Sequence, residues 1–195
     1  MALELPTLTT ARLRLRPVTA ADAGPLFALM SDAHVLRFWD SPPWTDPARA
    51  DRFVTASASM AEEEDGVRLA VDDADGFAGW IVLGGWNPTY RSASLGFVLA
   101  ARTWGRGCAT EAAGALLAWA FDVLPLNRVQ AEADTRNAAC ARVLQKLGFR
   151  LEGTLREDCV VDGVVSDSWV FGLLRREWTP PGRHVVAAQG RAQVR

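Results

Sequence analysis

The stretch that most constrains this chain is Arg102-Thr-Trp-Gly105-Arg-Gly107-Cys-Ala109-Thr-Glu111-Ala112. It follows a strand-like apolar run from Ser94 to Ala100 (SLGFVLA) and precedes a helix-like run from Ala109 to Val123. Two glycines one residue apart allow a sharp turn and let backbone N–H groups come close to a ligand. A helix starting just after them adds unpaired amides and the positive end of its dipole. Strand, glycine turn and helix together form a cradle for a diphosphate. Spacing removes two of the usual diphosphate binders. A dinucleotide fingerprint needs a further glycine where Thr110 stands. A nucleotide P-loop needs Gly-Lys-Ser/Thr, a tripeptide this chain lacks. The remaining alternative is a plain strand-to-helix turn.

A second segment, Asn137-Ala-Ala-Cys140-Ala-Arg-Val-Leu144-Gln-Lys146-Leu147-Gly148-Phe149, reads as a complete amphipathic helix. Cys140, Val143, Leu144 and Leu147 follow helical spacing and make an apolar stripe. Gly148 suits the left-handed residue just past a helix end, and Lys146 suits the negative end of the dipole.

The pattern Arg102-x-x-Gly105-x-Gly107-x-Ala109 resembles the coenzyme A pyrophosphate loop of the GNAT N-acetyltransferase superfamily. The helix beginning at Asn137 and ending in Leu147-Gly148-Phe149 resembles that family's other hallmark, in the family's order. The opening Leu8-Thr-Thr-Ala-Arg12-Leu-Arg-Leu-Arg-Pro17 and the closing run from Gly153-Thr-Leu-Arg156 to Glu177-Trp178 resemble the RimJ/RimL-like branch, which acetylates protein N-termini.

The resemblance implies an α/β GNAT fold, with a mixed, mostly antiparallel sheet of about seven strands and four helices. It implies one acyltransferase domain over residues 1–178 and a tail, 179–195, that adds little to a core. The implied activity moves the acetyl group of acetyl-CoA to a primary amine, a protein N-terminal α-amine first, by direct attack in a ternary complex. Rival readings keep the fold but use a small amine, an antibiotic or another acyl-CoA such as succinyl-CoA. A non-catalytic CoA-binding regulator is a further rival.

The implied cofactor residues are Phe97, Val98, Leu99, Arg102, Gly105, Arg106, Gly107, Cys108, Ala109, Thr110 and Asn137. A backbone N–H at a bulge in the strand Ser94 to Ala100, from Phe97 or Val98, would polarise the thioester carbonyl. Arg102 and Arg106 would add charge near phosphate, or be solvated surface residues. Glu111 reads first as a helix-terminus carboxylate. Asn137 would bond the pantetheine arm or cap its helix. Glu132 stands at the family's general-base position, or is a solvent-facing strand residue between Ala131 and Ala133. Cys140 replaces the branch's usual Ser, as a proton donor to the leaving thiolate or as a small core residue. Phe38, Trp39 and Trp44 would shape the acceptor pocket or pack in the core.

Composition narrows the partners. The chain has 195 residues and a formal charge of -2, without a basic run interleaved with aromatics, so nucleic acid is not expected. No apolar run approaches the ~20 residues of a membrane span. Glu4 and the alternating Arg12, Arg14 and Arg16 stand where a signal peptide needs an apolar core, so a cytoplasmic protein is expected, monomeric or homodimeric. Two histidines, His34 and His184, and three cysteines make no zinc pattern, so no metal is expected.

The remaining periodicities predict a strand at Leu13 and Leu15 ended by Pro17, a helix opened by Thr19-Ala-Ala-Asp22, and a second helix over 46–65. Hairpin signals stand at Asp75-Gly76 and Asp162-Gly163.

Overall fold

In the computed structural model, which describes residues 3–161 and 163–180, every strand joins one eight-stranded sheet of order β1-β2-β3-β4-β5-β6-β8-β7. The strands are β1 (Leu8–Thr9), β2 (Arg14–Pro17), β3 (Val67–Asp73), β4 (Gly76–Asn87), β5 (Ser92–Leu99), β6 (Arg128–Asp134), β7 (Arg150–Val161) and β8 (Val164–Leu174). The helices are α1 (Ala23–Met30), α2 (Ala48–Glu62), α3 (Cys108–Val123) and α4 (Ala138–Lys146). The strand beyond the expected seven is β1, whose two residues are too few to carry a periodicity. The Thr10 amide bonded to the Leu13 carbonyl folds β1 back on β2. His184 and most of the tail lie outside the described residues, as does Asp162 of the second hairpin signal.

Alternation divides the sheet's faces. Ile81 and Leu83 of β4, Leu95 and Leu99 of β5, and Val129, Ala131 and Ala133 of β6 bury against α3 and α4. Trp80 of β4 and Val98 of β5 point the other way, into a smaller core with Leu26, Met30 and Trp44 on the α1/α2 side. Helix α3 buries Ala112, Ala113, Leu116, Leu117, Ala120 and Phe121, apolar on most of its circumference because the sheet and α4 enclose it.

Local signals in the sequence hold at the helix ends. The Asp22 carboxylate accepts from the Thr19 amide at 2.7 Å, although the first turn is a 3-10 turn before α1 begins. Gly148 has φ 88°, its N–H bonds the Gln145 carbonyl at 3.0 Å, and Phe149 N–H bonds the Leu144 carbonyl at 3.0 Å. That pair of bonds is a Schellman motif, and only a glycine adopts its left-handed corner without strain.

The bulge expected in β5 is not there. Strand β5 pairs with β4 without interruption from Ser94 to Leu99, and the irregularity lies in β4, between Gly84 and Asn87. What interrupts β5 is its other neighbour. β5 and β6 are parallel and pair only from Ser92↔Arg128 to Ser94↔Gln130. Beyond that point they separate, so the sheet opens into a wedge bounded by Leu95–Leu99 and Ala131–Asp134. A parallel pair fed by the α3 crossover has no hairpin to hold its far ends together.

Candidate active site

The glycine loop lies at the open end of the wedge, between β5 and α3. Gly105 has φ 71° and Gly107 φ 80°, both left-handed, as the spacing predicts. Gly107 is the N-cap of α3 and offers no side chain to its amides. Among the described residues, the N–H groups from Gly105 through Thr110 donate to no acceptor. Successive open amides on a left-handed turn, leading into a helix dipole, make an anion-binding concavity. A diphosphate fits this donor set.

Three ties hold the loop in shape. Trp104 Nε1 donates to the Leu99 carbonyl at 2.9 Å, anchoring the loop to the end of β5. Arg102 bonds Asp73 at 2.5 Å and the Phe77 carbonyl at 2.8 Å, on the β3–β4 hairpin. Its guanidinium is thus engaged by the β3–β4 hairpin. The third tie is Arg12, which the sequence reading did not assign to the site. Arg12 NH1 donates to the Arg106 carbonyl at 2.6 Å, and Arg12 Nε to Glu111 at 2.7 Å. A Cβ on Gly107 would lie 3.5 Å from Arg12 NH2. The Arg12 guanidinium therefore stands over the cradle, with Arg106 exposed beside it. Glu111 serves as its clamp rather than as a cap, also accepting from Thr10 Oγ1 at 2.6 Å. Burial raises the Glu111 pKa, but the hydrogen bonds from Thr10 and Arg12 outweigh it and hold the carboxylate below its ordinary value. Cys108 is buried, Ala109 and Thr110 half-buried, so they contribute backbone rather than side chain to the cradle.

The wedge walls follow from alternation. Ala100 N–H bonds the Ala78 carbonyl at 2.8 Å, so the β5 amides facing β4 are those of Val98, Gly96 and Ser94. Leu95, Phe97 and Leu99 face β6. The Leu99 carbonyl is taken by Trp104, and Leu95 adjoins the last paired residues. Phe97 and Leu99 are then the β5 residues whose N–H groups face the gap, and Phe97 lies deeper, between the paired end and the glycine loop. The alternative donor, Val98, is committed to β4, so the bulge is unnecessary: strand separation exposes the amide.

Across the wedge, Ala131 and Ala133 are buried toward α3 and α4, which puts the exposed Glu132 side chain on the α1/α2 face. Glu132 Oε1 accepts from Gln130 Nε2 at 3.0 Å. On β5, Gly96 shares this face and leaves the floor bare; a Cβ there would meet Val82 Cγ1 at 3.3 Å.

Where β6 ends, Asp134 holds Arg136 by two bonds, Nε at 2.9 Å and NH2 at 2.6 Å, and accepts from Ser166 Oγ at 2.7 Å. Bonds from Arg136, opposed by burial and aided by Ser166, lower the Asp134 pKa to about 2. Asn137 caps α4, its Oδ1 accepting from Cys140 N–H at 3.1 Å, which leaves its Nδ2 as the group able to bond a ligand. Cys140 packs against the α3/α4 core, and burial pushes its thiol up to about 11.

The three aromatic candidates separate. Trp44 is 7% exposed, edge-on to Phe53 with centroids 5.9 Å apart, and is core. Trp39 is half-buried, edge-on to Trp80 at 5.7 Å. Only Phe38 reaches the end of β6, where the Arg136 guanidinium lies 5.9 Å from its ring. Residues assigned only by the structure are Arg12, Arg37, Trp104 and Arg136. Each depends on contacts between distant segments that no local spacing reveals.

Among the described residues, no His/Cys/Asp/Glu cluster could hold a metal ion, and no helix is long and apolar enough to cross a membrane.

Residues 12–150 match the model of the acetyltransferase (GNAT) domain. The chain is 30% identical over 177 residues to the uncharacterized N-acetyltransferase p20 of Bacillus licheniformis, covering 88% of this chain and 98% of p20. It is 28% identical over 153 residues to the spermidine N(1)-acetyltransferase of Escherichia coli K12, covering 77% of this chain and 79% of that enzyme. Among solved structures, the ribosomal L7/L12 α-N-protein acetyltransferase RimL bound to coenzyme A superposes with a TM-score of 0.80 at 18% identity, over 88% of this chain and 98% of RimL. At that identity the likeness is one of fold.

Proposed function

We propose, for a chain that belongs to the acetyltransferase (GNAT) family and uses acetyl-CoA as its co-substrate, that the acceptor is a protein N-terminal α-amine, acetylated by direct attack in a ternary complex. The observation that carries the reading is the run of open amides from Gly105 through Thr110, set beside a gap between β5 and β6 that the Phe97 N–H faces and whose β6 wall exposes Glu132 on the α1/α2 side. When bound, acetyl-CoA supplies an acyl group already activated as a thioester. The open amides, with Arg12 above them, would hold its diphosphate, and Asn137 Nδ2 its amide-bearing arm. The Phe97 N–H is the donor for a carbonyl oxygen in the wedge. Glu132 would accept the proton that a protonated amine must lose before it attacks, directly or through a water.

Cys140 is a poor proton donor as it stands. Transfer from a thiol near 11 to a thiolate of ordinary pKa, ~8.5, runs uphill by about 3 kcal/mol. We assign it to packing, with the leaving thiolate taking its proton from water.

A peptide N-terminus suits this site because Glu132 is exposed on the sheet face and can receive an amine at the end of a long chain. The test is acetyl transfer from acetyl-CoA to peptides, to spermidine and to small amines, beside calorimetric binding of CoA. Acetylated peptides are expected. Tight CoA binding without turnover of any amine, or with succinyl-CoA as donor, would mean a regulator or another acyltransferase.

A further inference from the structure

The separated ends of β5 and β6 are bridged on one side by a strap from the α1–α2 connection. His34 and Trp104 have ring centroids 5.1 Å apart. The Arg37 guanidinium lies 4.6 Å from the Trp104 ring and 5.0 Å from the Phe38 ring. Phe38 in turn lies under Arg136, 5.9 Å away. Trp104 is bonded to the last residue of β5, and Arg136 follows the last residue of β6. Aromatic rings and guanidinium groups therefore alternate between the end of β5 and the end of β6, the strand that carries Glu132.

The two cations differ. Arg136 is neutralised by Asp134, which binds it through both oxygens. Arg37 pairs with no carboxylate among the described residues; its one hydrogen bond, from NH1 to the His34 carbonyl at 2.8 Å, goes to a neutral group. The acids of the same connection do not bond it: Asp40 accepts only from Ser41 Oγ at 3.5 Å. Asp32 accepts from the His34 and Val35 amides, and Asp46 pairs with Arg52. The Trp104 and Phe38 rings hold the guanidinium by cation–π contact, and its N–H groups other than the one on His34 have no partner among the described residues, so a planar bidentate anion can pair with them. That contact also reduces the conformational freedom the side chain must lose on binding one.

We propose that Arg37 selects acceptors bearing a carboxylate close to the reacting amine, and so that this enzyme acetylates peptide N-termini whose first residues are Asp or Glu. The inference rests on the reading of a peptide-acetylating enzyme and adds its specificity. The acceptor would lie with its amine toward Glu132 and its side-chain carboxylate on Arg37. A polycation would meet Arg37 as a like charge, a contact that disfavours it.

The test is steady-state kinetics with peptides that differ only in the first residues, Asp-Glu, Ser-Ala or Lys-Lys, with free aspartate and with spermidine. Wild type is expected to prefer the acidic peptide to the basic one by at least ~10-fold in kcat/KM, and to lose much of that preference in 0.5 M salt, where the screening length falls to a few ångströms. Arg37→Gln should raise KM for the acidic peptide ~5- to 20-fold relative to the Ser-Ala peptide, with kcat nearly unchanged. Arg37→Glu should reverse the preference, an effect that a structural role would not produce. If wild type uses acidic and basic peptides equally, or spermidine best, the proposal is overturned while the enzyme reading stands. Free aspartate outperforming the acidic peptide would also overturn it. If CoA binds and no amine is acetylated, the enzyme reading falls and takes this inference with it. The wild-type panel decides the question even if an Arg37 variant fails to fold.

Discussion

Gly107→Val puts a side chain at the point where the cradle's amides must be approached. At φ 80° a β-branched residue is strained by about 1–2 kcal/mol. The Cβ itself has room, since its nearest neighbour, Arg12 NH2, lies 3.5 Å away, at ordinary contact distance. The variant should therefore fold, with a melting temperature lower by roughly 2–8 °C for a chain of this size. Its added methyls stand over the amides that follow Gly107, and CoA affinity should fall at least ~10-fold, about 1.4 kcal/mol. Gly163→Ala is the matched control. Gly163 has φ 73°, and a Cβ there would meet nothing within 4 Å, so it carries similar backbone strain in the β7–β8 turn, away from the loop. It should lower the melting temperature by a few degrees and leave CoA binding unchanged. Calorimetric titration with CoA, beside thermal melts, compares the two. If folded Gly107→Val binds CoA as tightly as Gly163→Ala does, the open amides are not the diphosphate cradle.

Glu132→Gln keeps shape but removes the proton acceptor, so kcat should fall ~10²-fold, and by less at high pH where the amine arrives neutral; an unchanged pH–rate profile removes Glu132 from the mechanism. Cys140→Ala should cost about 1 kcal/mol of stability for a lost packing atom and change kcat less than ~3-fold; a larger kcat loss that Cys140→Ser restores would make the thiol a proton donor after all. Asp134 titrates near 2 in the folded chain and at 3.8 otherwise, so its stabilisation is present above pH 4 and lost as pH falls toward 2. Part of Arg136 is solvent-exposed, which screens the pair, and the contribution is about 1–2 kcal/mol. Denaturant unfolding of wild type and Asp134→Asn should converge between pH 4 and pH 2; a constant gap over that range would refute the assignment.

Much of the site was legible in the chain because its signals are local. A glycine needing positive φ, a helix N-terminus without a cap and an apolar stripe closed by Gly148 are each set by neighbours a few residues away. So the loop, the helices α3 and α4 and the order of the elements were readable from spacing. Glu132 stood out only through resemblance, since strand alternation alone makes it an ordinary exposed residue.

The tertiary structure decided the rest, and for one reason: the missing information joined residues far apart in sequence. Whether Phe97 or Val98 presents its amide depends on which strand each faces, and that follows from the register with β4 and the early end of pairing with β6. Arg102 finds Asp73, while Arg12, to which its sequence position gave no role, finds Glu111 and the Arg106 carbonyl. Trp44 becomes core and Phe38 the aromatic residue at the mouth, although both lie in one short aromatic segment, because the α1–α2 connection turns one inward under the sheet and the other toward Arg136. Sequence by itself determined where the backbone could bend and which faces were apolar. Folding determined which charges found partners, and left Arg37 among the described residues without a carboxylate to pair with.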